Sequence, residues 1–262
     1  MMLAHKNVYE GVQDAVLWKG VHFTEVDAFD SFVSNEVASR LHDDSGKSDF
    51  VSHLNSLAST GFAQENVRAI LEAEKPEERD WAVGEAMAEA WLTHEHGVFW
   101  PWNMERDKRT PKASLPGADL VGFMRQDNET RLVLGEVKCS SDSNTPPNVM
   151  TGRTGMIHQL ENLAADIGLL HTLIRWLQPR CRGNDAEPHF NAAISLLLQS
   201  GNKAMTLFGV LVRDTQPNEF DLRNRGTSLG KIIKPPSACR LLALYIPCPI
   251  ANLPSRVQGG AL

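Results

Sequence analysis

The sequence has few features of secreted, membrane-spanning or zinc-binding proteins. Its 262 residues include only four cysteines, which form neither a CxxC pair nor a zinc-finger spacing. We therefore expect reduced thiols in a reducing compartment. The longest apolar stretches, residues 193–198 and 207–212, are far shorter than the roughly 20 residues needed to span a bilayer. No transmembrane helix is expected.

Missing motifs exclude further classes of protein. The N-terminal residues contain no apolar segment followed by a cleavage site of small residues, which predicts a cytoplasmic protein. The sequence also lacks a Walker loop, a GxSxG motif and a GxGxxG motif. These absences disfavour NTPases, α/β-hydrolases and dinucleotide-binding enzymes.

Positive charge is scarce as well. The net charge of −6 argues against a protein that coats nucleic acid, because neutralising phosphates requires clustered lysine and arginine. One local basic run is present, formed by Arg106, Lys108, Arg109 and Lys112. This run is either part of a contact with nucleic acid or a solvated loop, and its composition does not decide between the two.

The spacing of apolar residues predicts a mixed, mainly helical region over residues 1–75. Alternation over 21–26 indicates a short strand. Helical spacing follows over 28–41 and again over 52–71, where Gly61 is the expected break. None of the residues in this region indicates a particular chemistry.

Residues 76–250 alternate between helices and strands, which is typical of a mixed α/β layered fold. Pro76 and the acidic residues beside it predict the start of a helix. The predicted elements are a helix over 78–95, strands over 98–105, 118–125 and 131–140, helices over 155–177 and 190–200, and strands over 205–213 and 240–246. Residues 251–262 are expected to form a frayed tail.

The most informative segments contain two carboxylates and a lysine. Residues 117–122 read GADLVG, and residues 134–138 read LGEVK. A chain of this length contains roughly one or two [DE]xK triplets by composition alone. The triplet therefore indicates a functional site only if the residues around it do so as well. Here it ends a run of strand-forming residues, and alternation places Glu136 and Lys138 on the same face as Leu132 and Leu134. Charges on a core-facing side are costly unless they are paired or bind a metal, which favours a functional site.

Asp119 is expected to lie beside Glu136, because the intervening turn is short enough for a hairpin. Two adjacent carboxylates repel each other unless a cation lies between them. Oxygen ligands of this kind suit Mg²⁺ or Mn²⁺. Gly117 and Gly122 flank Asp119 and leave room for another backbone or a ligand.

The preceding helix adds a third carboxylate. Glu85 is the single charge in an apolar stripe that also contains Trp81, Ala88 and Leu92, so we expect it to face the site. Glu89 falls on a different face and is interpreted as a solvated carboxylate.

The order of a helix with a glutamate, a strand with an aspartate, a strand with ExK and a further helix resembles the PD-(D/E)xK nuclease superfamily. That resemblance implies an αβββαβ core over roughly residues 78–213. The aspartate of the family corresponds to Asp119, where Ala118 replaces a proline that often precedes it. The ExK motif corresponds to Glu136 and Lys138.

Some branches of that superfamily, including the RecB-like one, add a glutamate and a glutamine. These residues correspond to Glu85 and to Gln159 in the predicted helix after the ExK strand. Leu163 stands where a tyrosine often follows in the RecB-like branch, which is a departure from its pattern.

The resemblance implies Mg²⁺-dependent or Mn²⁺-dependent hydrolysis of DNA phosphodiester bonds. The implied metal ligands are Asp119, Glu136, the Val137 carbonyl and Glu85, directly or through water. Lys138 would orient the attacking water or neutralise developing charge, and Gln159 would position water or a phosphate oxygen.

A narrower resemblance concerns the nuclease subunit of the Hachiman antiphage system, which works with a helicase. It rests on Gly-Ala-Asp followed by Leu-Gly-Glu-Val-Lys, on the helical N-terminal region and on the chain length. It implies a helicase or another protein subunit as partner. Two alternatives stay open: a catalytically inactive nuclease fold that binds DNA or a partner, and a chance match in an α/β interaction protein.

Overall fold

A mixed sheet of six strands forms the centre of the computed structural model, which describes residues 4–73, 80–108 and 117–258. The strands are β1 (His5–Gln13), β2 (Val16–Phe23), β3 (Leu120–Gln126), β4 (Glu129–Ser140), β5 (Met205–Arg213) and β6 (Ala238–Tyr245). Their order across the sheet is β1-β2-β6-β5-β4-β3. Strands β2, β6, β5 and β4 pair in parallel, whereas β1 and β3 are antiparallel edge strands.

Helices cover both faces of this sheet. One layer contains α1 (Val26–Phe32), a π-helical segment (Val33–Val37), α2 (Ala38–Leu41), α5 (Asp80–His96) and α10 (Leu253–Val257). The other layer contains α6 (Met156–Ala165), α7 (Ile167–Cys181), α8 (Glu187–Gln199) and α9 (Arg223–Ile232). Two further helices, α3 (Asp44–Leu57) and α4 (Gly61–Glu72), contain no buried residue. The predicted α/β class, with a mixed sheet flanked by helices, is confirmed.

Alternation along β4 fixes which layer each side chain meets. Val133 and Val137 pack in the cluster that includes α5, and Leu132 and Leu134 pack in the cluster that includes α6. The side-chain period of two therefore assigns Glu136 to the face toward α6.

The predicted strand over 98–105 is wrong. Phe99 forms a single antiparallel bridge with Phe123 of β3, and Met104–Asp107 is a 3₁₀-helix. Pro101 lacks the backbone N–H that a continued ladder needs. The bridge still explains Gly122, because a Cβ there would lie 2.7 Å from the Phe99 carbonyl oxygen.

The single helix predicted over 155–177 is two helices, α6 and α7. Asp166 adopts an extended conformation between them, and its side chain accepts a hydrogen bond from the Leu169 N–H. It therefore caps the start of α7. Helix α9 was not predicted because Gly226 and Gly230 lower its helix propensity. Packing compensates, since a Cβ at Gly226 would lie 2.3 Å from Trp18.

The N-terminal region contributes more strand than predicted. Strand β1 was not expected, because its polar edge residues give little alternation. Strand β2 starts five residues earlier than the predicted strand and pairs with β6. The N-terminal region therefore extends the central sheet and is not only a helical extension. The expected break at Gly61 is observed, since α3 ends at Leu57 and α4 begins at Gly61.

The predicted frayed tail is partly wrong. Leu253 and Val257 of α10 are buried in the core, so apolar contacts hold this segment. Residues 259–262 lie outside the described residues, as do the predicted boundary at Lys75–Glu78 and the basic residues Arg109 and Lys112.

All four cysteines are free thiols. No helix in the described ranges is both long and apolar enough to cross a membrane.

A buried ion pair fixes the loop that follows β4. Arg213 Nη1 donates to the carbonyl oxygens of Ser140 and Asp142, and Nη2 donates to that of Asn144. Its Nε lies 3.4 Å from Asp221 Oδ2, and the two side chains are 1% and 0% exposed. The carboxylate thus compensates a charge that burial would otherwise penalise.

We predict that Asp221→Ala lowers the free energy of unfolding by about 3–5 kcal/mol, because Arg213 keeps its charge inside the protein without a counter-charge. Urea unfolding at pH 7 measures the change. Glu219→Ala is the matched control, since Glu219 pairs with the exposed Arg223 at 2.9 Å and should cost a small fraction of that value. Equal losses in the two variants would contradict this role for Asp221.

Candidate functional site

A tight hairpin sets the register that brings Asp119 to Glu136. Asp127 and Asn128 have φ of 51° and 64°, the left-handed conformation that a two-residue type I′ turn requires. From this turn, pairing continues to Leu120 opposite Gly135. The residue before β3 is therefore level with Glu136. The Asp119 carboxylate accepts a hydrogen bond from the Val137 N–H at 2.8 Å, which holds it there.

Glu136 interacts with a basic residue, Lys138, and with an acidic one, Asp119. The Lys138 Nζ lies 2.5 Å from Glu136 Oε1, and the charge of Asp119 acts on the same carboxyl group. Glu136 is only 4% exposed.

Helix α5 brings Glu85 toward the same region. The helix passes close to β4 at Gly84, where a Cβ would lie 2.2 Å from Cys139 Sγ. Glu85 follows directly, and the charge of Asp119 contributes to the raised pKa of its carboxyl group. The charge of Asp119 therefore acts on both Glu85 and Glu136.

The electrostatics of the site are those of crowded, buried acids. Burial, and then the charge of Asp119, raises the pKa of Glu85 to about 8. The same two causes raise the pKa of Glu136 to about 7. Burial also raises the pKa of Asp119, against the opposing effects of the Val137 N–H and of Lys138. These carboxyl groups therefore retain protons at a pH where exposed acids have lost them.

Gln159 lies in the first turn of α6, near the level of Glu136. Gly209 of β5 pairs in register with Glu136, and a Cβ there would lie 2.9 Å from both Met156 and Leu160 of α6. The start of α6 is thus packed beside the Glu136 level. Within the described residues, the Gln159 side chain forms no hydrogen bond with Glu85, Asp119, Glu136 or Lys138.

Two residues near the site were not predicted correctly. Lys108 was seen only as part of a basic run, yet its Nζ lies 2.5 Å from Glu105 and 3.9 Å from Glu85. Glu89 was interpreted as solvated, but it is 7% exposed and pairs with Arg40 at 2.7 Å. The sequence signal for its burial is the composition of residues 82–92, which are apolar or glycine apart from the two glutamates, so the helix is apolar on every side.

The acidic donors suit a hard divalent cation, although the side chains do not form a coordination shell. In residues 4–73, 80–108 and 117–258, no group of three or more His, Cys, Asp or Glu side chains is arranged so that it could hold a metal ion. The formal charge nevertheless fits one divalent ion. With all four carboxyl groups ionised, Glu85, Glu105, Asp119 and Glu136 carry a charge of −4, and the two ammonium groups paired with them in the described residues, Lys108 and Lys138, reduce it to −2.

Comparison with known proteins gives no assignment. No model of a known protein family matches the chain, and no curated protein matches it.

We predict that in EDTA the protein loses stability as the pH rises from about 5 to 8. The folded-state pKa values of Glu85 and Glu136, about 8 and 7, lie above the ordinary value of 4.5. In this range the folded protein binds more protons than the unfolded chain, so the free energy of unfolding falls with increasing pH. Glu136→Gln removes one of these groups, and its stability should fall less steeply. Urea unfolding at four pH values measures both slopes.

Glu129→Gln is the control for this series, because Glu129 is an exposed glutamate on the same strand and pairs with Arg131. Identical slopes for the wild type and Glu136→Gln would mean that Glu136 is not held in a protonated, buried state.

Proposed function

We propose that the protein is a Mg²⁺-dependent or Mn²⁺-dependent nuclease of the PD-(D/E)xK type that hydrolyses DNA phosphodiester bonds. The observation that supports this most is the adjacency of Asp119, Glu136 and Lys138 at the start of β3 and the middle of β4. Asp119 is distant in sequence from the other two residues, and the buried charge of Glu136 has a cost that a bound cation would offset.

The order of elements around the site supports the same proposal. Helix α5 is followed by the antiparallel pair β3 and β4, by α6, and by β5 parallel to β4. The proposed core differs from the αβββαβ pattern in two respects. Among the described residues a single bridge at Phe99 stands in place of the first strand, and α7 and α8 lie between α6 and β5. In this assignment the aspartate directly precedes β3, and the ExK motif lies in β4.

Each residue of the proposed site would have its own role in hydrolysis. The carboxylates of Asp119 and Glu136, with the Val137 carbonyl, would hold the ion, and Glu85 would add a ligand directly or through water. A bound divalent ion would stabilise charge on the phosphate and lower the pKa of the attacking water. Lys138 pairs with Glu136 at 2.5 Å, so its ammonium stands next to the position where that charge develops. Gln159, at the start of α6, would position a water or a phosphate oxygen.

We further propose that the protein works as the effector of an antiphage defence or restriction complex with a helicase or another protein subunit. The net charge of −6 supports the need for a partner, because a subunit with more positive charge would contribute much of the affinity for DNA.

One observation favours a second candidate, a nuclease fold that binds DNA or a partner without cleaving it. In the described residues the carboxylates do not converge as a three-ligand group, and Lys138 occupies one oxygen of Glu136. In that case the Lys138–Glu136 pair would be structural.

We predict that the protein cleaves DNA in Mg²⁺ or Mn²⁺ and not in EDTA. Asp119→Asn, Glu136→Gln and Lys138→Met should each lower the cleavage rate by roughly a hundredfold or more, because each removes a group aimed at the ion or at developing charge. Linear and plasmid DNA, incubated with and without the product of the neighbouring gene, provide the substrates for a gel assay.

Glu129→Gln is again the matched control and should cleave at the wild-type rate. Binding of DNA without cleavage under every condition would favour the second candidate. Cleavage that survives Glu136→Gln would refute the proposed role of this site.

A further inference from the structure

We infer that Arg240, Lys19 and His96 form a binding site for a phosphate group, either free or within a nucleic-acid strand. Arg240 lies on β6, Lys19 lies on β2, and His96 is the last residue of α5. The Arg240 Nη1 lies 2.8 Å from His96 Nδ1, and the guanidinium carbon lies 5.8 Å from the centre of the Phe208 ring. None of these residues belongs to the proposed carboxylate site.

Strand pairing places Lys19 beside Arg240. Strands β2 and β6 pair in parallel, with Leu17 opposite Arg240 and Lys19 opposite Leu242. Lys19 is therefore two residues beyond the partner of Arg240, so both side chains leave the sheet on the same face. Diagonal neighbours of this kind are within reach of each other's long side chains. Leu17 is on this face as well and is 38% exposed, so solvent reaches the sheet here.

Arg240 is partly buried without a carboxylate to balance its charge. Half-buried arginines elsewhere, such as Arg40 and Arg106, pair with carboxylates at 2.7 and 2.6 Å. Among the described residues Arg240 has no such ion pair, and burial lowers its pKa. A guanidinium does not lose its proton inside a protein, so the cost of burying this charge remains. A bound anion would offset that cost.

Neighbouring acids do not neutralise the two cations. Glu10 lies opposite Lys19 in the pairing of β1 with β2, and the charge of Asp127 partly opposes the lowering of the Arg240 pKa. Both acids are exposed, so solvent screens their charges. In the described part of the chain neither of them forms an ion pair with Lys19 or Arg240.

His96 adds a third donor to the site. Burial, and then the charge of Arg240, lowers the pKa of His96 to about 4, so its ring is neutral at pH 7. The neutral ring accepts the hydrogen bond from Arg240 at Nδ1, which leaves the proton on Nε2. A guanidinium, an ammonium and an imidazole N–H thus come from three different elements. Two positive charges and donors from three directions suit a tetrahedral phosphate better than a planar carboxylate.

The test measures the affinity for inorganic phosphate at pH 7 by isothermal titration calorimetry, in a metal-free chloride buffer. Arg240→Met should weaken phosphate binding by roughly 10-fold or more, because the charged hydrogen bonds of the guanidinium are lost. Lys19→Met should weaken it by roughly threefold or more. Arg175→Met and Lys231→Met are the matched controls and should bind like the wild type, since they remove the same charges from exposed positions on α7 and α9.

A second titration distinguishes the two sources of phosphate. Its probe is a short single-stranded DNA in EDTA, where metal-dependent cleavage cannot occur. If the site binds the phosphates of a strand, Arg240→Met weakens the affinity for DNA as well as for inorganic phosphate. If the site takes only a free phosphate, Arg240→Met and the wild type bind DNA equally well.

Thermal unfolding followed by circular dichroism keeps the test decisive if Arg240→Met folds poorly. Phosphate should raise the melting temperature of the wild type more than that of Lys19→Met, because a ligand stabilises the fold in proportion to its affinity. Equal phosphate affinities in the wild type and both variants, or no phosphate binding by the wild type, would overturn the inference. Either result would leave the proposed nuclease site intact, since Arg240 shares a face with Leu242, in the cluster that includes α5, whereas Glu136 faces α6.

Discussion

Buried carboxylates that repel one another are the constraint on which this molecule's central region depends. Moving an ionised carboxylate out of water is costly, and placing a second one beside it raises the cost further. The charge of Asp119 raises the pKa values of both Glu85 and Glu136. The fold partly offsets this repulsion with the Val137 N–H and two lysines. The repulsion that remains contributes to the raised pKa values of Glu85 and Glu136.

The scaffold makes this arrangement rigid. A type I′ turn sets the register of β3 on β4, and the parallel neighbour β5 fixes β4 from its other side. Gly84 allows α5 to approach β4 at Cys139, and Gly209 allows α6 to approach β5 from the other face of the sheet. The Arg213–Asp221 pair then holds the loop that leaves β4. Each of these features limits how far the carboxylates can move apart.

Much of the fold near the site could be predicted, because its signals are local. The apolar run of β5 and the hairpin between β3 and β4 are visible in the sequence as strand formers and a polar turn. The edge strand β1 and helix α9 were not predictable in this way. Strand β1 is polar, and α9 contains two glycines whose cost is offset only by contacts with Trp18 and β1.

Within the site, only the residues that strand pairing brings together could be placed from the sequence. Asp119 and Glu136 follow from the hairpin, whereas Lys108 enters through a 3₁₀-helix whose position depends on contacts with α2 and α7. Such long-range anchors leave no local pattern. For the same reason the pairing of Glu89 with Arg40, which is 49 residues away, could not be predicted from the sequence. The roles of Glu85, Gln159 and Lys138 remain predictions.

The most direct test of the central claim is a crystal structure of the protein soaked in Mn²⁺, with the ion located by its anomalous scattering. We predict one peak at about 2.0–2.3 Å from carboxylate oxygens of both Asp119 and Glu136, with water in the remaining octahedral positions. An anomalous map without a peak there, while Lys138 still pairs with Glu136, would contradict the claim that these acids are held together to bind a cation.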